Sequence, residues 1–271
     1  MIDIHCHLNF HKFEEDYEDV MNTAFADGVR AIVNVGTQVE SSQLAVELAE
    51  KHDNLWAIVG IHPHHADKLE LGEHWLADLE KMTTHPKVIG IGEIGMDYYS
   101  YASNGIVDPK LQQETFELQI DLAYRAKLPL QIHHRQVGQE LIDVLQANKH
   151  KLLSIPGMFH CFAGSMEFLK EALDLGFFIG FDGNLTYDGL AKGETVSLKE
   201  IASYVPLDRT LTETDSPYLT PEPYRGTRNE PKQVILVGKE LAKIKNVSFE
   251  HIQEVTVKNA QTAFPKLVLQ I

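Results

Sequence analysis

The chain has 271 residues, enough for one large α/β barrel or two smaller domains. Hydrophobic residues make up 44% and charged residues 23%, as in ordinary globular proteins, and no apolar run approaches the ~20 residues that span a bilayer. The formal net charge of −15 opposes broad binding to a nucleic-acid backbone, but it does not oppose a phosphate ester held directly on metal ions.

The N-terminus lacks the basic and apolar regions of a secretory signal. The two cysteines, Cys6 and Cys161, argue against a disulfide framework and favour a reducing compartment. We therefore expect a cytoplasmic protein with no membrane association.

Short apolar runs that predict strands alternate with helical stretches along the chain. In the first half, strands are predicted over 2–4, 31–35, 55–61 and 88–94, with helices over 14–27, 40–51, 75–82 and 109–127. In the second half, strands are predicted over 128–132, 157–162, 177–181 and 209–213, with helices over 138–148, 166–175, 198–204, 232–245 and 248–264.

The predicted strands are continuously apolar, which is typical of a parallel sheet covered by crossover helices on its faces. Eight such units in this length favour a (β/α)₈ TIM barrel forming a single domain over residues 1–271, with an open doubly wound sheet as the competing architecture. The three longest irregular stretches are 96–108, 184–194 and 216–229. All three follow the carboxyl ends of strands, where barrel active sites lie.

The first strand ends in two histidines, His5 and His7. Residues two apart on a strand point to the same side, so the two imidazoles share a face. Neutral imidazole is a common ligand of divalent transition metals, and the pair forms half of a metal site. The motif alone also fits histidines that bind nothing, so the remaining ligands have to come from other strands.

Four further residues of ligand type follow other predicted strands: Glu93, His133, His160 and Asp215. In a closed barrel these strand ends converge on one mouth. Four imidazoles and two carboxylates exceed the needs of one tetrahedral metal and suit two ions bridged by a carboxylate. Glu93 is the natural bridge because the fourth strand lies beside the fifth and across the barrel from the eighth.

The motifs together resemble the TatD-type metal-dependent deoxyribonucleases of the amidohydrolase-like barrels. The resemblance runs nearly end to end, and the stretches that carry it are Asp-Ile-His-Cys-His-Leu at 3–8, Gly-Ile-His-Pro-His at 60–64, Gly-Ile-Gly-Glu-Ile-Gly-Met-Asp-Tyr-Tyr at 90–99, Ile-His-His-Arg at 132–135, His-Cys-Phe-Ala-Gly-Ser at 160–165, Glu-Thr-Asp-Ser-Pro-Tyr-Leu at 213–219 and Arg-Gly-Thr-Arg-Asn-Glu-Pro at 225–231.

The resemblance implies a divalent-metal phosphodiesterase acting on DNA, with two ions drawn from Mg²⁺, Mn²⁺ or Zn²⁺. Carried over by position, one ion would be held by His5, His7, Glu93 and Asp215, and the other by Glu93, His133 and His160. Asp215 would also orient the attacking water and take its proton. No obligate protein partner is expected.

Three further residues are candidates for holding the substrate phosphate: His62, Arg135 and Arg225. The chain departs from the family pattern at Gln136, where the family usually has Asp, and at Asp182, where it usually has Ser. His134 should point away from His133, which favours a packing role.

The sequence is also compatible with two other functions. The same ligand set serves amidohydrolases, deaminases and lactonases, although many of those bridge their metals with a modified lysine rather than a glutamate. A barrel that binds a partner without catalysis is the third interpretation. Retention of all six ligands counts against it.

Overall fold

The computed structural model describes residues 1–69, 74–190 and 195–269. Eight parallel strands form one sheet in which the order in space follows the order in the chain. They are β1 (Ile2–Cys6), β2 (Ala31–Val35), β3 (Leu55–Val59), β4 (Val88–Asp97), β5 (Leu130–Arg135), β6 (Gly157–Phe159), β7 (Phe178–Phe181) and β8 (Thr210–Thr212). Almost every strand residue is buried, as expected for a sheet covered on both faces.

α-Helices follow the strands and cover the sheet. Within the described ranges they are α1 (Tyr17–Ala26), α2 (Val39–Lys51), α3 (His74–Thr83), α4 (Pro109–Ala126), α5 (Gln139–Ala147), α6 (Met166–Asp174), α7 (Leu198–Tyr204), α8 (Val234–Lys245) and α9 (Phe249–Ala263). Local sequence sets several starts: the hydroxyl of Ser165 accepts from the third-residue N–H of α6, and Ser197 and Ser248 do the same for α7 and α9. None of these helices is long and apolar enough to cross a membrane.

The sheet closes between its first and last strands. The His7 N–H donates to the Ser216 carbonyl at 2.8 Å, and the Asp215 N–H donates to the His5 carbonyl at 3.0 Å. Between the same two strands, the Thr212 hydroxyl donates to the Ile2 carbonyl at 3.2 Å. These contacts confirm the predicted (β/α)₈ barrel and exclude the open sheet.

The last helix lies at the amino ends of the strands, opposite the mouth. The side-chain amide of Asn259 donates to the carbonyl of Thr210, where β8 begins, at 2.8 Å. Phe264, just past α9, belongs to the same buried apolar cluster as Ile2, Ile58 and Leu211. This packing leaves the carboxyl ends of the strands as the polar end of the barrel.

The fourth and fifth strands run further than the apolar pattern predicts. The sequence places their ends at residues 94 and 132, whereas the ladder continues and pairs Gly95 with His133 and Asp97 with Arg135. The two strands extend together because each supplies the other's backbone partners, so polar side chains are carried into the sheet. Asp97 is thereby brought beside His133.

Candidate metal centre

The mouth of the barrel brings all six predicted ligands together around Glu93. They come from β1, β4 and β5 and from the residues just after β1, β6 and β8. Potential ligand atoms of His5, His7 and Asp215 lie within 4.8 Å of one another, as do those of His5, Glu93 and His160. His133 groups in the same way with two residues outside the predicted ligand set, His62 and Asp97.

The two carboxylate oxygens of Glu93 face different sets of imidazoles. Oε2 lies 3.7 Å from Nε2 of His5 and 3.8 Å from Nε2 of His7. Oε1 lies 2.6 Å from Nδ1 of His133 and 3.7 Å from Nε2 of His160. This division is what a carboxylate bridging two cations requires.

The remaining ligand carboxylate, that of Asp215, serves the β1 side of the site. Its Oδ1 lies 3.4 Å from Nε2 of His7 and 3.7 Å from Nε2 of His5. Asp215 has a φ of 53°, and its carbonyl accepts from the N–H of Tyr218 at 2.8 Å. Asp and Asn adopt this left-handed conformation more readily than other non-glycine residues, because their short polar side chains bond locally.

Two of the imidazoles are oriented by hydrogen bonds on the ring nitrogen that faces away from the centre. Nδ1 of His7 lies 2.9 Å from the Val35 carbonyl, and a carbonyl can only accept, so Nδ1 carries the proton. Nδ1 of His160 lies 2.9 Å from Oε2 of Glu213. In both rings Nε2 is left facing the centre, the arrangement found in protein metal ligands.

The donor set fits divalent metal ions. Two ligands bound at about 2.1 Å to one tetrahedral ion lie roughly 3.4 Å apart, close to the separations of the Glu93 and Asp215 oxygens from the His5 and His7 nitrogens. Nε2 of His5 and Nε2 of His7 are 3.0 Å apart, which brings two candidate ligand nitrogens together. Nδ1 of His5 is buried with no hydrogen-bond partner among the described residues.

Charge in the site is concentrated on pairs of imidazole and carboxylate. Burial would raise the pKa of Glu93, but the surrounding imidazoles, His62 and His133 first, hold it well below its usual range. Burial would lower the pKa of His160, yet the Glu213 carboxylate raises it to about 10. Burial opposes a high pKa at His133 too, but Glu93 and Asp97 raise it to about 9.

The predicted substrate residues lie in three different settings. Nε2 of His62 lies 3.6 Å from Oε1 of Glu93, inside the mouth. The guanidinium of Arg135 stacks over the Tyr99 ring at 3.9 Å, and that of Arg225 stacks over Tyr187 at the same distance. Both arginines are exposed, so their N–H groups are accessible from solvent.

His62 has a defined proton position. Burial and the neighbouring His133 lower its pKa to about 3, so the ring is neutral near pH 7. Its Nδ1 accepts the N–H of His64 at 3.0 Å. The single ring proton therefore sits on Nε2, which faces the mouth as a hydrogen-bond donor.

The residue that departs from the family pattern after β7 is buried. Asp182 is 0% exposed, its Oδ1 accepts the N–H of Asn184 at 2.8 Å, and its Oδ2 has no hydrogen-bond partner among the described residues. Burial, followed by the Glu213 carboxylate, raises its pKa to about 7. Asp182 thus lies beneath the mouth, and its carboxylate does not face solvent there. Gln136, the other departure, is exposed with a φ of 55°.

Two carboxylates that are hydrogen-bonded to predicted ligands, those of Asp97 and Glu213, are not among the site residues predicted from the sequence. Asp97 lies four residues after Glu93 on one strand, and Glu213 lies two before Asp215. The period of two along a strand would have placed Asp97 on the face of Glu93, had the strand been extended to residue 97. His134, in contrast, packs as expected, stacked on Phe168 with ring centroids 5.0 Å apart.

Comparison with known proteins agrees with this geometry. The sequence model of the family described as TatD related DNase matches residues 2–265. The chain belongs to this family. It is 36% identical over 265 residues to the metal-dependent hydrolase YabD of Bacillus subtilis strain 168, covering 97% of this chain and 98% of the relative.

Two further members extend the comparison. The Salmonella typhimurium protein named 3′-5′ ssDNA/RNA exonuclease TatD is 30% identical over 274 residues, covering 97% of this chain and 98% of the relative. The crystal structure of the TatD homologue YjjV from Escherichia coli K12 superposes with a TM-score of 0.86 at 29% identity, covering 98% of both chains. The family and the fold expected from the sequence are confirmed.

Proposed function

We propose that the protein is a metal-dependent phosphodiesterase that hydrolyses nucleic acid, DNA in particular, with two divalent ions at the barrel mouth. The observation that carries the proposal is the position of the Glu93 carboxylate, whose two oxygens face separate sets of imidazoles. The name of the Salmonella relative supports nucleic acid as the substrate class. The ions would be Mg²⁺, Mn²⁺ or Zn²⁺.

The ligands would divide between two positions. His5, His7, Glu93 and Asp215 would hold one ion, and Glu93, His133 and His160 the other. Bound there, the ions would polarise the phosphoryl oxygens and lower the pKa of a coordinated water.

The chain's own groups supply the remaining chemistry. Asp215, the most accessible of the ligand carboxylates with a side chain 15% exposed, would orient the attacking water and accept its proton. The Nε2–H of His62 would donate a hydrogen bond to a phosphoryl oxygen, and it does so without a charge of its own. Arg135 and Arg225 would pair with phosphates further along a strand.

Because the net charge is −15, the phosphates of the substrate have to be bound by a few specific groups at the site. The surface as a whole repels a polyanion, so attraction has to be local to the mouth and to the arginines beside it. Binding should therefore weaken as salt increases, with a slope set by a few contacts rather than by an extended basic face.

The test is an assay of the metal-free protein reloaded with Mg²⁺, Mn²⁺ or Zn²⁺. Substrates are end-labelled single-stranded DNA and bis(p-nitrophenyl) phosphate, with an amide and a lactone substrate in parallel. We expect metal-dependent hydrolysis of the two phosphodiesters. Amide or lactone hydrolysis without phosphodiester turnover would contradict the proposal in favour of an amidohydrolase, and metal binding without any turnover would indicate a binding protein.

A further inference from the structure

A continuous chain of close polar contacts connects the centre of the site to its outer wall through His133. Nδ1 of His133 lies 2.6 Å from Oε1 of Glu93, and Nε2 lies 2.9 Å from Oδ2 of Asp97. The Tyr101 hydroxyl donates to the same Asp97 oxygen at 2.7 Å, and Arg135 donates to the Tyr101 oxygen at 3.2 Å. His133 is therefore held on both ring nitrogens by carboxylates.

His62, Asp97 and His133 lie close enough to suggest a separate ion position, but their bonding opposes it. Oδ1 of Asp97 already accepts the N–H of Tyr99 at 2.8 Å, and Oδ2 accepts Tyr101 and His133. Nε2 of His62 carries its ring proton, because Nδ1 is the acceptor for His64. An ion placed among these three residues would have to displace bonds that are already made.

We propose instead that Asp97 is a positioning residue that fixes His133 as a metal ligand through Nδ1. The carboxylate holds the proton on Nε2, so the lone pair available to bind a metal ion is on Nδ1, which points at Glu93. This inference rests on the proposed function. It adds that His133 binds the ion through Nδ1 and that the Asp97 carboxylate selects this nitrogen. Carboxylates that orient metal-binding histidines in this way are common.

The backbone of Asp97 is itself anchored from outside the barrel. Oε1 of Gln112 accepts the Asp97 N–H at 2.7 Å, and Nε2 of Gln112 donates to the Asp97 carbonyl at 2.8 Å. Gln112 lies on α4 and is 1% exposed, so both hydrogen bonds are shielded from water. A ligand-orienting carboxylate needs such a rigid base, since an error of an ångström would turn the imidazole away from its ion.

Replacing this carboxylate with an amide should reverse the tautomer of His133. In an Asp97→Asn variant the Tyr99 N–H still requires an acceptor, so the amide oxygen takes the Oδ1 position. The amide NH₂ then faces Nε2 of His133 and can only donate to it. The ring proton moves to Nδ1, where it blocks the lone pair that would bind the ion.

The experiment is calorimetric titration of the metal-free protein with Mn²⁺. We expect wild type to bind two ions and Asp97→Asn to lose 10- to 100-fold in affinity at one of them, with the other unchanged. Tyr101→Phe should show a smaller loss at the same ion. Tyr99→Phe is the matched control: the ring under Arg135 is kept, and the Tyr99 hydroxyl has no hydrogen-bond partner in the part of the chain that the structure describes.

A double-mutant cycle separates orientation of His133 from a general loss of structure. If Asp97 acts through His133, adding Asp97→Asn to His133→Ala should cause no further loss of Mn²⁺ affinity. A further loss in the double variant, an equal loss at both ions in Asp97→Asn, or wild-type binding by that variant would overturn the proposal. Wild-type protein that bound no divalent ion would overturn the proposed function as well, which distinguishes the two failures.

Discussion

The two sides of the candidate metal centre are built differently. On the β1 side, His5 and His7 lie two residues apart on one chain segment, and the backbone holds His7 through the Val35 carbonyl and the Ser216 carbonyl. On the β5 and β6 side, the ligands come one per strand. Each is held by a carboxylate of its own, His133 by Asp97 and His160 by Glu213.

This difference shows two ways of orienting an imidazole. Two histidines two residues apart share the geometry of their chain segment, and a carbonyl acceptor sets the tautomer of His7. The side chain of a single histidine at a strand end can rotate, so a charged hydrogen-bond partner such as a carboxylate is needed to fix the orientation of its ring. Four predictions follow, from the largest expected effect to the smallest, and the first two test this difference between the two sides directly.

On the β1 side, Asp215→Asn should abolish turnover. It removes a proton acceptor and a metal ligand while keeping the side-chain shape, and Asn tolerates the left-handed backbone at this position. We expect the rate on bis(p-nitrophenyl) phosphate to fall by about 10²- to 10⁴-fold with little change in melting temperature. Asp208→Asn, before the start of β8 at the opposite end of the barrel, is the matched control. Activity near wild type in Asp215→Asn would remove Asp215 from its proposed role.

On the opposite side, Glu213→Gln should weaken the ion bound by His160. Glu213 accepts the Cys161 N–H at 2.6 Å with one oxygen and binds His160 Nδ1 with the other, so an amide, which has a single oxygen, cannot accept from both nitrogens. We expect a 10- to 100-fold loss of affinity at one ion, measured by calorimetry. Glu200→Gln on the exposed side of α7 is the control. Equal affinities for wild type and Glu213→Gln would mean that the carboxylate does not orient the ring.

His133 and His134 are neighbours on β5, but only His133 is a predicted metal ligand. Substitution of His134 should therefore change stability and not metal binding. His134 is buried against Phe168, and its Nε2 donates to the carbonyl oxygen of Ala163 at 2.5 Å. His134→Ala should lower the free energy of unfolding by about 2–4 kcal/mol through lost packing and an unpaired backbone group. Metal stoichiometry should stay at the wild-type value. A variant that lost an ion without losing stability would place His134 in the metal site.

The smallest effect concerns the loop that carries Asp215. Arg228 donates to both carboxylate oxygens of Asp16, at 2.9 and 2.7 Å, and this hydrogen bonding lowers the pKa of Asp16 below its usual 3.8. A lowered folded pKa contributes stability above pH 3.8 and loses it as the pH falls through the folded value. Arg228→Ala should therefore cost about 0.5–1 kcal/mol near pH 7.

Denaturant unfolding at several pH values measures this loss, which should vanish once Asp16 is protonated. Arg225→Ala is the matched variant from the same loop, because Arg225 stacks on Tyr187 and is not hydrogen-bonded to a carboxylate among the described residues. Its stability should show no such pH dependence, whereas its affinity for DNA should fall. A pH-independent cost in Arg228→Ala would show that the loop is stabilised by contacts that do not titrate, namely the packing of Arg228 over Phe13 at 4.6 Å and its hydrogen bond to the Lys12 carbonyl at 2.7 Å.

The architecture and the ligand residues could be predicted because both depend on where strands end. Continuous apolar runs identify the strands, barrel closure brings their carboxyl ends to one place, and any histidine or carboxylate found there is a candidate. β2 and α7 begin and end at the predicted residues for this reason. Other ends differ from the prediction by a few residues: β4 and β5 continue past their predicted ends into polar residues, whereas β3 and β6 stop at Val59 and Phe159, short of the predicted residues 61 and 162.

The supporting carboxylates could not be predicted by the same reasoning. Asp97 lies in a polar stretch that looks like loop until the ladder with β5 extends it, and Glu213 is adjacent to a ligand motif without being a ligand. Their role depends on which nitrogen of a histidine is free, which is a matter of side-chain geometry. Arg225 stacks on Tyr187 and Arg228 pairs with Asp16 because of the conformation of their loop, which cannot be predicted from hydrophobic periodicity.

The most direct test of the whole account is a crystal of the metal-loaded protein with anomalous scattering measured at the edge of the bound element. We expect two peaks on opposite sides of Glu93, one among His5, His7 and Asp215 and the other beside His133 and His160, with bonds of about 2.0–2.2 Å. A single peak that does not touch Glu93, or peaks remote from these residues, would contradict it.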